Sequence, residues 1–468
     1  MTKIYDMAVI GGGPAGYVAA LRARQLGLSV VLAEKEKVGG VCLNRGCIPT
    51  KSLLADVEGF RWASRAAKAG ILDQQPSINL SHMMERKNRV VGNLVANLEK
   101  LLQANDITIT SNVARIVEPG TIMTETGERF RCRNIVVATG SRSTTPPISG
   151  ADLPGVMTTR QILELGHVPQ RLVIIGGGII GQEFATIFSA VGSSVTVVEV
   201  MDRILVEVDA EIARRYASLL PGYGVTTELS AQVKSIERAG DVFRVVYEKR
   251  GKEKFCKAEA VLIATGRRPN LEGLGLSELG VKVKDRAIEV DRRLHTSVDG
   301  IYAIGDVTGR KMLAHVASYH GEIVAENIAG HDRDVQDDLV PACVFTTPQI
   351  AWVGLTEEQA KESGRPFRTS IVSLASSGKA QALGEPRGWF KLIEDSATKR
   401  PVGAHFLGPQ VSELIGGVTV AIRKGLSTAD ITETIYPHPT LSEAFREAAL
   451  GFFDGPIHTV SRTRSYGD

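Results

Sequence analysis

The chain has 468 residues, of which 43% are hydrophobic and 23% charged, and a prior of roughly 150 residues per domain gives about three domains. These fractions exclude a disordered or collagen-like chain. A net charge of only +3 and an aromatic content of 5% argue against a nucleic-acid-binding protein, which normally carries a strongly basic domain.

The cysteine count and the hydropathy pattern indicate the compartment. Five cysteines in this length do not make a disulfide scaffold, so any disulfide should be catalytic. No apolar run reaches the roughly 18 residues that suggest a membrane helix. A strand predicted over Ile4–Ile10 leaves only Met1-Thr2-Lys3 before it, too little for a signal peptide. We therefore expect a soluble, cytoplasmic protein with no membrane partner.

The first glycine cluster follows that strand. Gly11, Gly13 and Gly16 form a Gly-x-Gly-x-x-Gly loop that opens a helix to about Leu26, and a second strand ends at Glu34. This arrangement is the dinucleotide-binding fingerprint. The loop and the helix N-terminus would hold a pyrophosphate, and the carboxylate would accept hydrogen bonds from ribose hydroxyls. The alternative interpretation is a tight packing turn.

The same pattern recurs in the middle of the chain. The strand Arg171–Ile175 precedes a second glycine loop, and another strand ends at Glu199; the loop glycines are Gly176, Gly178 and Gly181. Each unit also has an Ala-Thr-Gly downstream of a buried strand, at 138–140 and 264–266. The sequence therefore predicts a duplicated unit that binds two dinucleotides, or one dinucleotide beside a relic. Neither unit carries the loop of an ATP-hydrolysing enzyme.

The last third reads differently. From about Phe345 the glycine clusters stop, and short strands alternate with amphipathic helices in a pattern typical of an α+β fold; the strands are Phe367–Leu374 and Trp389–Ile393, and the helices Glu357–Ser363 and Ser412–Arg423. The tail from about Gly451, with Arg462, Arg464 and a closing Tyr466-Gly467-Asp468, is predicted to be a mobile terminus.

Cys42 and Cys47 lie five residues apart in Gly39–Lys51. On an ideal helix that offset separates the Cα atoms by about 8.6 Å, whereas a disulfide needs roughly 4.4–6.8 Å. The two cysteines can bridge only if the helix is distorted between them, which Gly46 allows. On these grounds three interpretations of the cysteine pair stay open: a redox disulfide, two buried thiols, or half of a metal site. The other cysteines form no Cys-x-x-Cys, so a zinc site is not expected.

The segment Gly-Gly-Val-Cys-Leu-Asn-Arg-Gly-Cys-Ile-Pro-Thr-Lys, together with the paired glycine units, resembles the flavin disulfide reductases over essentially the whole chain. The resemblance implies an α/β fold: two duplicated Rossmann-like domains plus a C-terminal α+β dimerisation domain. It implies FAD at the first unit, NAD at the second, and no metal. The expected domains are residues 1–148 for FAD, 149–270 for NAD, 271–344 completing the FAD site, and 345–468 for dimerisation.

The resemblance also implies roles for individual residues. Cys42 would be the interchange thiol, Cys47 the thiolate against the flavin, and Lys51 the lysine near flavin N5, paired with Glu183. Without the resemblance, a lysine and a glutamate on helices would be read as solvated charges. Further cofactor contacts would come from Asp306, which follows a strand in Gly-Asp, and from backbone or loop positions Ala114, Thr139, Gly140, Val233, Gly266 and Ala314.

A histidine–glutamate motif lies near the C-terminus. Tyr436-Pro437-His438-Pro439-Thr440-Leu441-Ser442-Glu443 matches the family's catalytic base and its carboxylate. Histidine titrates near neutral pH and can accept a thiol proton, and a carboxylate on its other ring nitrogen fixes the tautomer. The resemblance implies that both residues act on the partner subunit, in a homodimer with shared active sites.

Substrate and coenzyme are predicted by branch-specific positions. No cysteine follows Cys343, which disfavours the mercuric and large thioredoxin reductases, and Ile179 replaces the gating tyrosine of glutathione reductases. The cysteine motif is similar to that of the branch acting on dihydrolipoyl groups of a lipoyl carrier domain or protein. Glu199 favours the free 2′-hydroxyl of NAD, and Val200 and Val206 stand where NADP-using relatives place arginines, although Arg203 is nearby.

Two alternatives stay open at this point. One is another NAD(P)H-linked disulfide or polysulfide reductase with the same machinery. The other is a flavoprotein scaffold subunit of a lipoyl-dependent complex.

Overall fold

The computed structural model describes residues 3–467. Met1 and Thr2 of the short leader and Asp468 of the tail, which the sequence interpretation named, lie outside the described residues. Every described helix is too short or too polar to span a lipid bilayer.

The first unit is built on a seven-stranded sheet. Its parallel part has the order β3-β2-β1-β6, and β6-β5-β4 continue it as an antiparallel meander. Six of its strands are β1 (Ile4–Ile10), β2 (Val30–Ala33), β3 (Thr108–Thr110), β4 (Ala114–Glu118), β5 (Thr121–Thr124) and β6 (Arg129–Val137), and the seventh comes from Ile301–Ala303, much later in the chain. A short strand β7 (Ser141–Ser143) follows outside this sheet. The helices are α1 (Pro14–Gln25), α2 (Gly40–Arg45), α3 (Cys47–Lys68) and α4 (Leu80–Ala104).

The second unit repeats this plan. A five-stranded parallel sheet has the order β11-β10-β9-β15-β8, and a separate meander has the order β12-β13-β14. The strands are β8 (Val156–Met157), β9 (Arg171–Ile175), β10 (Ser194–Val198), β11 (Val225–Glu228), β12 (Ala231–Ala239), β13 (Val242–Lys249), β14 (Lys252–Ala258), β15 (Ala260–Ile263) and β16 (Arg267–Pro269). The helices are α5 (Thr159–Ile162), α6 (Ile179–Ala190) and α7 (Ala210–Leu219), followed by a 3-10 turn over Leu220–Tyr223.

The predicted duplication is confirmed by this topology. In both units a central strand, β1 or β9, leads through a glycine loop and a helix to a parallel strand on one side of it, β2 or β10. A three-stranded meander then brings the chain back to a strand that pairs in parallel with the other side of the central strand, β6 or β15. We call this last strand the return strand. In the first unit, β6 serves as both the last meander strand and the return strand. In the second unit, only Glu259 separates these functions, between β14 and β15.

The stretch after the second unit returns to the first sheet. It contains β17 (Val283–Lys284), β18 (Ala287–Ile288), β19 (Ile301–Ala303), a 3-10 turn over Gly305–Thr308 and α8 (Ala314–Ile328). β19 pairs in parallel with β6, from Ile301 opposite Ile135 to Ala303 opposite Val137. α8 packs on α1 so closely that a Cβ at Gly321 would lie 2.6 Å from the carbonyl oxygen of Ala15.

The C-terminal part forms a six-stranded antiparallel sheet with the order β20-β21-β24-β23-β22-β25. Its strands are β20 (Ala342–Val344), β21 (Gln349–Gly354), β22 (Phe367–Ser373), β23 (Trp389–Asp395), β24 (Arg400–Gly408) and β25 (Ser461–Tyr466). The helices are α9 (Glu357–Glu362), α10 (Gly378–Ala382), α11 (Val411–Arg423), α12 (Thr428–Glu433) and α13 (Glu443–Leu450), with a 3-10 turn over Leu374–Ser376. The stacked rings of Phe390 and Phe406, 4.1 Å apart, lie in its core.

The prediction of a mobile tail was wrong. β25 pairs antiparallel with β22, from Tyr466 opposite Phe367 to Ser461 opposite Val372. The Tyr466 ring stacks on Phe367 at 4.7 Å, and its hydroxyl donates to Glu357 Oε1 at 2.8 Å. The tail is polar because an edge strand exposes most of its side chains. Its backbone pairing with β22 makes it ordered, although its composition alone gives no sign of a strand.

A buried ion cluster joins the second unit to the C-terminal sheet. Lys391, on β23, is 1% exposed and places Nζ 2.8 Å from Asp209 Oδ1 and 2.7 Å from Glu357 Oε2. Asp209 caps α7 and also accepts the N–H of Glu357 at 3.0 Å. Burial alone would raise the pKa of Glu357, but hydrogen bonds from Lys361 and Lys391 outweigh it and lower the pKa to about 2. Burial would likewise raise the pKa of Asp209, but the charges of His405 and Lys391 outweigh it and lower the pKa to about 2. Both carboxylates therefore stay ionised, and Lys391 and Lys361 supply the lysine cations that face them.

Replacing Lys391 by methionine should destabilise the protein strongly, because the variant leaves the buried Asp209 without its lysine and removes one of the two lysines that pair with Glu357. Removing one partner of a buried ion pair costs about 3–5 kcal/mol. Thermal unfolding of the FAD-loaded protein measures the effect. Lys234→Met is the control, since Lys234 is 45% exposed beside Glu248 and its loss should change the melting temperature little. Equal melting temperatures for the two variants would contradict the assigned role of the cluster.

Candidate functional site

Each glycine loop passes its return strand too closely for a side chain. Gly11 has φ +107°, and a Cβ there would lie 2.3 Å from the Ala138 carbonyl oxygen. Gly176 has φ +112°, and its Cβ would lie 2.5 Å from the Ala264 oxygen. These are the two positions where glycine is sterically required for the loop to lie against the Ala-Thr-Gly segment.

The third glycine of each loop allows the helix to lie on the loop. A Cβ at Gly16 would lie 1.8 Å from the Gly11 carbonyl oxygen, and one at Gly181 would lie 2.1 Å from the Gly176 oxygen. The N-caps of α1 and α6 are also glycines, with no capping side chain. The free N–H groups of both helix N-termini are therefore available to an anionic ligand.

The acidic residue that ends the second strand of each unit is fixed by the loop itself. Glu34 Oε2 accepts the Gly12 N–H at 2.7 Å, and Glu199 Oε2 accepts the Gly177 N–H at 2.5 Å. The second carboxylate oxygen accepts a backbone N–H two residues further on in both units. Both carboxylates are thus oriented beside their loops, as recognition of a ribose requires.

Both loops open into one cavity of about 2140 Å³, far larger than a site for one small molecule. Most of the predicted residues line it, namely Gly11, Gly13, Glu34, Cys42, Cys47, Lys51, Ala114, Thr139, Gly140, Gly176, Gly178, Glu183, Glu199, Val233, Gly266, Asp306 and Ala314. Gly16 and Gly181 do not line it, because they lie behind the loops. The volume, the two uncapped helix ends and the two oriented carboxylates fit two dinucleotides.

The two cysteines belong to two different helices. Cys42 lies in α2, Cys47 is the first residue of α3, and Gly46 breaks the helix between them with φ −142° and ψ −109°. A Cβ at Gly46 would lie 2.9 Å from the Val41 carbonyl oxygen. This is the distortion that a bridge at this spacing needs. Both residues are thiols here, so the disulfide itself stays a prediction.

The environment separates the acidities of the two thiols. A hydrogen bond from Cys42 lowers the pKa of Cys47 to about 7; burial and Glu183 oppose this shift, and the charge of Lys51 supports it. The same hydrogen bond, with burial, raises the pKa of Cys42 well above its usual range. Cys47 also begins a helix of 22 residues, and a helix N-terminus favours a thiolate. Cys47 is therefore the thiolate of the pair.

Lys51, one helical turn after Cys47, forms an ion pair with a buried glutamate. Its Nζ lies 2.8 Å from both carboxylate oxygens of Glu183, which is 4% exposed. The lysine also lies over the Phe345 ring at 4.7 Å, and the Phe345 N–H donates to Glu183 Oε1 at 3.1 Å. The first unit, the second unit and the C-terminal sheet therefore meet at this pair. Phe345 was missed in the sequence because no local motif marks it.

Asp306 is positioned by residues that sequence reasoning also missed. Ser141 Oγ donates to Asp306 Oδ2 at 2.5 Å, and Arg267 Nε donates to Ser141 Oγ at 2.8 Å. Ser141 and Arg267 each directly follow one of the two Ala-Thr-Gly segments. The repeat of that segment was therefore the sequence signal that could have identified them.

His438 and Glu443 form the predicted pair, but not at the cysteines of their own chain. Nδ1 of His438 lies 2.9 Å from Glu443 Oε1, and the Thr440 N–H donates to Oε2 at 2.8 Å. Burial would raise the pKa of Glu443, but the Thr440 N–H and His438 outweigh it and lower the pKa. The His438 side chain is 77% exposed, and neither residue lines the cavity.

Comparison with known proteins agrees with this geometry. Residues 5–321 match the family model described as pyridine nucleotide-disulphide oxidoreductase, and residues 340–449 match the dimerisation domain of the same family. The chain therefore belongs to the pyridine nucleotide-disulphide oxidoreductases, a family of enzymes that use FAD and NAD(H). Its dimerisation domain indicates a homodimer.

Curated relatives are similar over their whole length. The dihydrolipoyl dehydrogenase of Chlamydia trachomatis is 38% identical over 463 residues, covering 98% of this chain and 99% of the relative. That of Bacillus subtilis is 37% identical, covering 98% and 100%. Among solved structures, the Cu(II) complex of the HOCl-induced flavoprotein disulfide reductase RclA from Escherichia coli has a TM-score of 0.87 at 31% identity, covering 96% of this chain and 99% of that chain.

Alkylation of the reduced protein should show one thiol that titrates near pH 7, because Cys47 has a pKa of about 7. Lys51→Met should raise that midpoint, since the variant removes a cation that favours the thiolate. Glu183→Gln should lower it, since Glu183 opposes the thiolate. The protein is treated with iodoacetamide at a series of pH values, and mass spectrometry of its peptides measures the extent of alkylation at each cysteine.

Two other thiols serve as internal controls for this titration. Burial raises the pKa of Cys132 to about 12 and that of Cys343 to about 11, so both should react slowly at neutral pH. A midpoint for Cys47 as high as those of Cys132 and Cys343 would contradict the assignment.

Proposed function

We propose that this chain is an NAD-dependent dihydrolipoyl dehydrogenase, which oxidises dihydrolipoyl groups on a lipoyl carrier domain or protein and reduces NAD⁺ to NADH. One observation carries the proposal: an asymmetric cysteine pair, with its thiolate at Cys47, shares a cavity with two dinucleotide loops. The names of the curated relatives support the substrate. Cytoplasmic location is part of the proposal, supported by the unbonded Cys132, Cys256 and Cys343.

We assign FAD to the first loop and NAD to the second, with domains at residues 1–148, 149–270, 271–344 and 345–468. Pairing of β19 with β6 supports a central segment that completes the FAD unit. Lys51 and Glu183 support the assignment of the redox centre, because both residues of the ion pair line the cavity that the two loops share. When bound, FAD would supply electron-pair transfer between the cysteine pair and the nicotinamide.

The thiol chemistry starts from the oxidised cysteine pair. A dihydrolipoyl thiolate attacks the Cys42 sulfur, forming a mixed disulfide and releasing Cys47 as the thiolate. The second lipoyl thiol then attacks the lipoyl sulfur of the mixed disulfide, closes the lipoyl ring and releases Cys42. One substrate dithiol is oxidised to a disulfide, and one protein disulfide is reduced to a dithiol. The low pKa of Cys47 makes it the better leaving group in the first step.

His438 is proposed as the base that accepts the substrate's thiol protons. Its Nδ1 is engaged by Glu443, so Nε2 is free to face a substrate. Because the side chain is exposed and does not line the cavity of its own chain, the proposed partner of His438 is the cysteine pair of the second subunit. This requirement makes the homodimer the active species.

Turnover of dihydrolipoamide with NAD⁺ tests the function. We expect NADH formation by the FAD-loaded wild type and none by Cys47→Ser, because the variant cannot form the disulfide. Retention of FAD in the variant, read from its absorbance, shows that the fold survives. Wild-type reduction of glutathione disulfide, polysulfide or Cu(II) by NADH without dihydrolipoamide oxidation would assign the chain to another reductase of the family. Lipoyl-carrier binding without turnover would indicate a scaffold.

Mixed dimers test the shared active site. His438→Gln should lower turnover by a factor of about 10²–10⁴, and Cys47→Ser should abolish it. When the two variants are unfolded and refolded together, hybrid dimers contain one site with an intact cysteine pair and an intact histidine. Random reassociation should then restore about a quarter of wild-type turnover.

The matched control for this experiment mixes Cys47→Ser with Cys42→Ser. Both substitutions lie in the same cysteine pair, so no hybrid site is complete and no activity should return. Failure of the histidine and cysteine variants to complement would mean that His438 acts within its own chain.

A further inference from the structure

We infer that Glu358, on α9 of the C-terminal sheet domain, determines coenzyme specificity: it holds Arg203 in an ion pair and so withholds from the second dinucleotide loop the cation that a 2′-phosphate would need. This inference rests on the proposed assignment of NAD to that loop.

Arg203 is placed where a phosphate-binding arginine could act. It lines the cavity together with Glu199, Val200 and Val206. Between residues 199 and 208 it is the one basic residue of the sequence. Glu199 is held beside the loop by the Gly177 and Met201 N–H groups, and its carboxylate repels a 2′-phosphate. Discrimination between NAD and NADP therefore depends on whether Arg203 can compensate that repulsion.

Glu358 occupies the edge of the guanidinium that a phosphate would use. Arg203 Nη1 lies 2.9 Å from Oε1 of Glu358, and Nη2 lies 2.7 Å from Oε2. This is a bidentate fork, the arrangement in which arginine also binds phosphate. Nη2 additionally lies 3.4 Å from the Val206 carbonyl oxygen. A 2′-phosphate would have to displace a carboxylate that already uses both terminal nitrogens.

The position of Glu358 is fixed by its neighbour. Glu357 donates its N–H to Asp209 and shares the buried Lys391, which joins α9 to the second unit. Thr356 and Gln359 close a capping box at the start of the same helix. The first turn of α9 therefore fixes the backbone of Glu358 beside Arg203. This explains how a residue 155 positions away along the chain can act on the nucleotide loop.

Substitution of Glu358 by glutamine should release Arg203 while keeping the size of the side chain. We expect the dissociation constant for NADP⁺ to fall about five- to tenfold, the effect of one added charge-assisted contact, and that for NAD⁺ to change less than about twofold. Isothermal titration of the FAD-loaded protein with each nucleotide measures both constants. Because the readout is binding and not turnover, it is independent of whether dihydrolipoamide is the substrate.

Two further variants make the experiment decisive. Arg203→Gln with Glu358→Gln should return NADP⁺ affinity to the wild-type level, because the gain requires the arginine. Glu362→Gln, an exposed charge on the same helix, should leave both affinities unchanged. An unchanged NADP⁺ affinity in Glu358→Gln, or an equal gain in the double variant, would overturn the inference. An unchanged melting temperature verifies that α9 stays docked.

Discussion

One steric constraint organises this chain: at two places the backbone after a central strand must pass a return strand more closely than any side chain permits. Gly11 meets Ala138 in this way, and Gly176 meets Ala264. This close approach sets the direction of α1 and α6 and leaves their N-terminal N–H groups exposed. It also brings each loop into contact with its acidic residue. Both loops line one cavity, and Cys42, Cys47 and the Lys51–Glu183 pair line it as well.

Local signals in the sequence predicted the parts of the molecule that depend on neighbouring residues. β1 begins and ends at the predicted residues, Ile4 and Ile10, because its mostly apolar residues and the glycine cluster that follows are both visible locally. The break at Gly46 was expected because a five-residue spacing cannot bridge on a regular helix. β25 was missed because its sequence, Ser-Arg-Thr-Arg-Ser-Tyr, has no apolar face, and its order comes from pairing with a distant strand.

The remaining part of the site depends on contacts between distant segments, and no single-sequence pattern reports those. Phe345, which follows β20 of the C-terminal sheet, contacts Lys51 of the first unit. Glu358, on α9 of the C-terminal part, contacts Arg203 of the second unit. His438 is the opposite case: its motif was readable, yet its own chain keeps it away from the cavity. The shared site proposed for His438 came from the resemblance, since reasoning on one chain cannot bring residues of two subunits together.

The pairing of β19 with β6 has a consequence for synthesis on the ribosome. The second sheet is contiguous, since its strands run from Val156 to Ile263, whereas the first sheet lacks a strand until Ile301–Ala303 has emerged. The nascent chain can thus complete its second nucleotide-binding unit while the unit begun earlier still exposes one edge of β6. The second unit is thus inserted between β6 and β19 of the first sheet. The short antiparallel pairing of β7 with β16, with Ser143 opposite Arg267, joins the two ends of this inserted segment. Translation pauses before residue 301 would therefore prolong the interval in which an open sheet edge is available for aggregation.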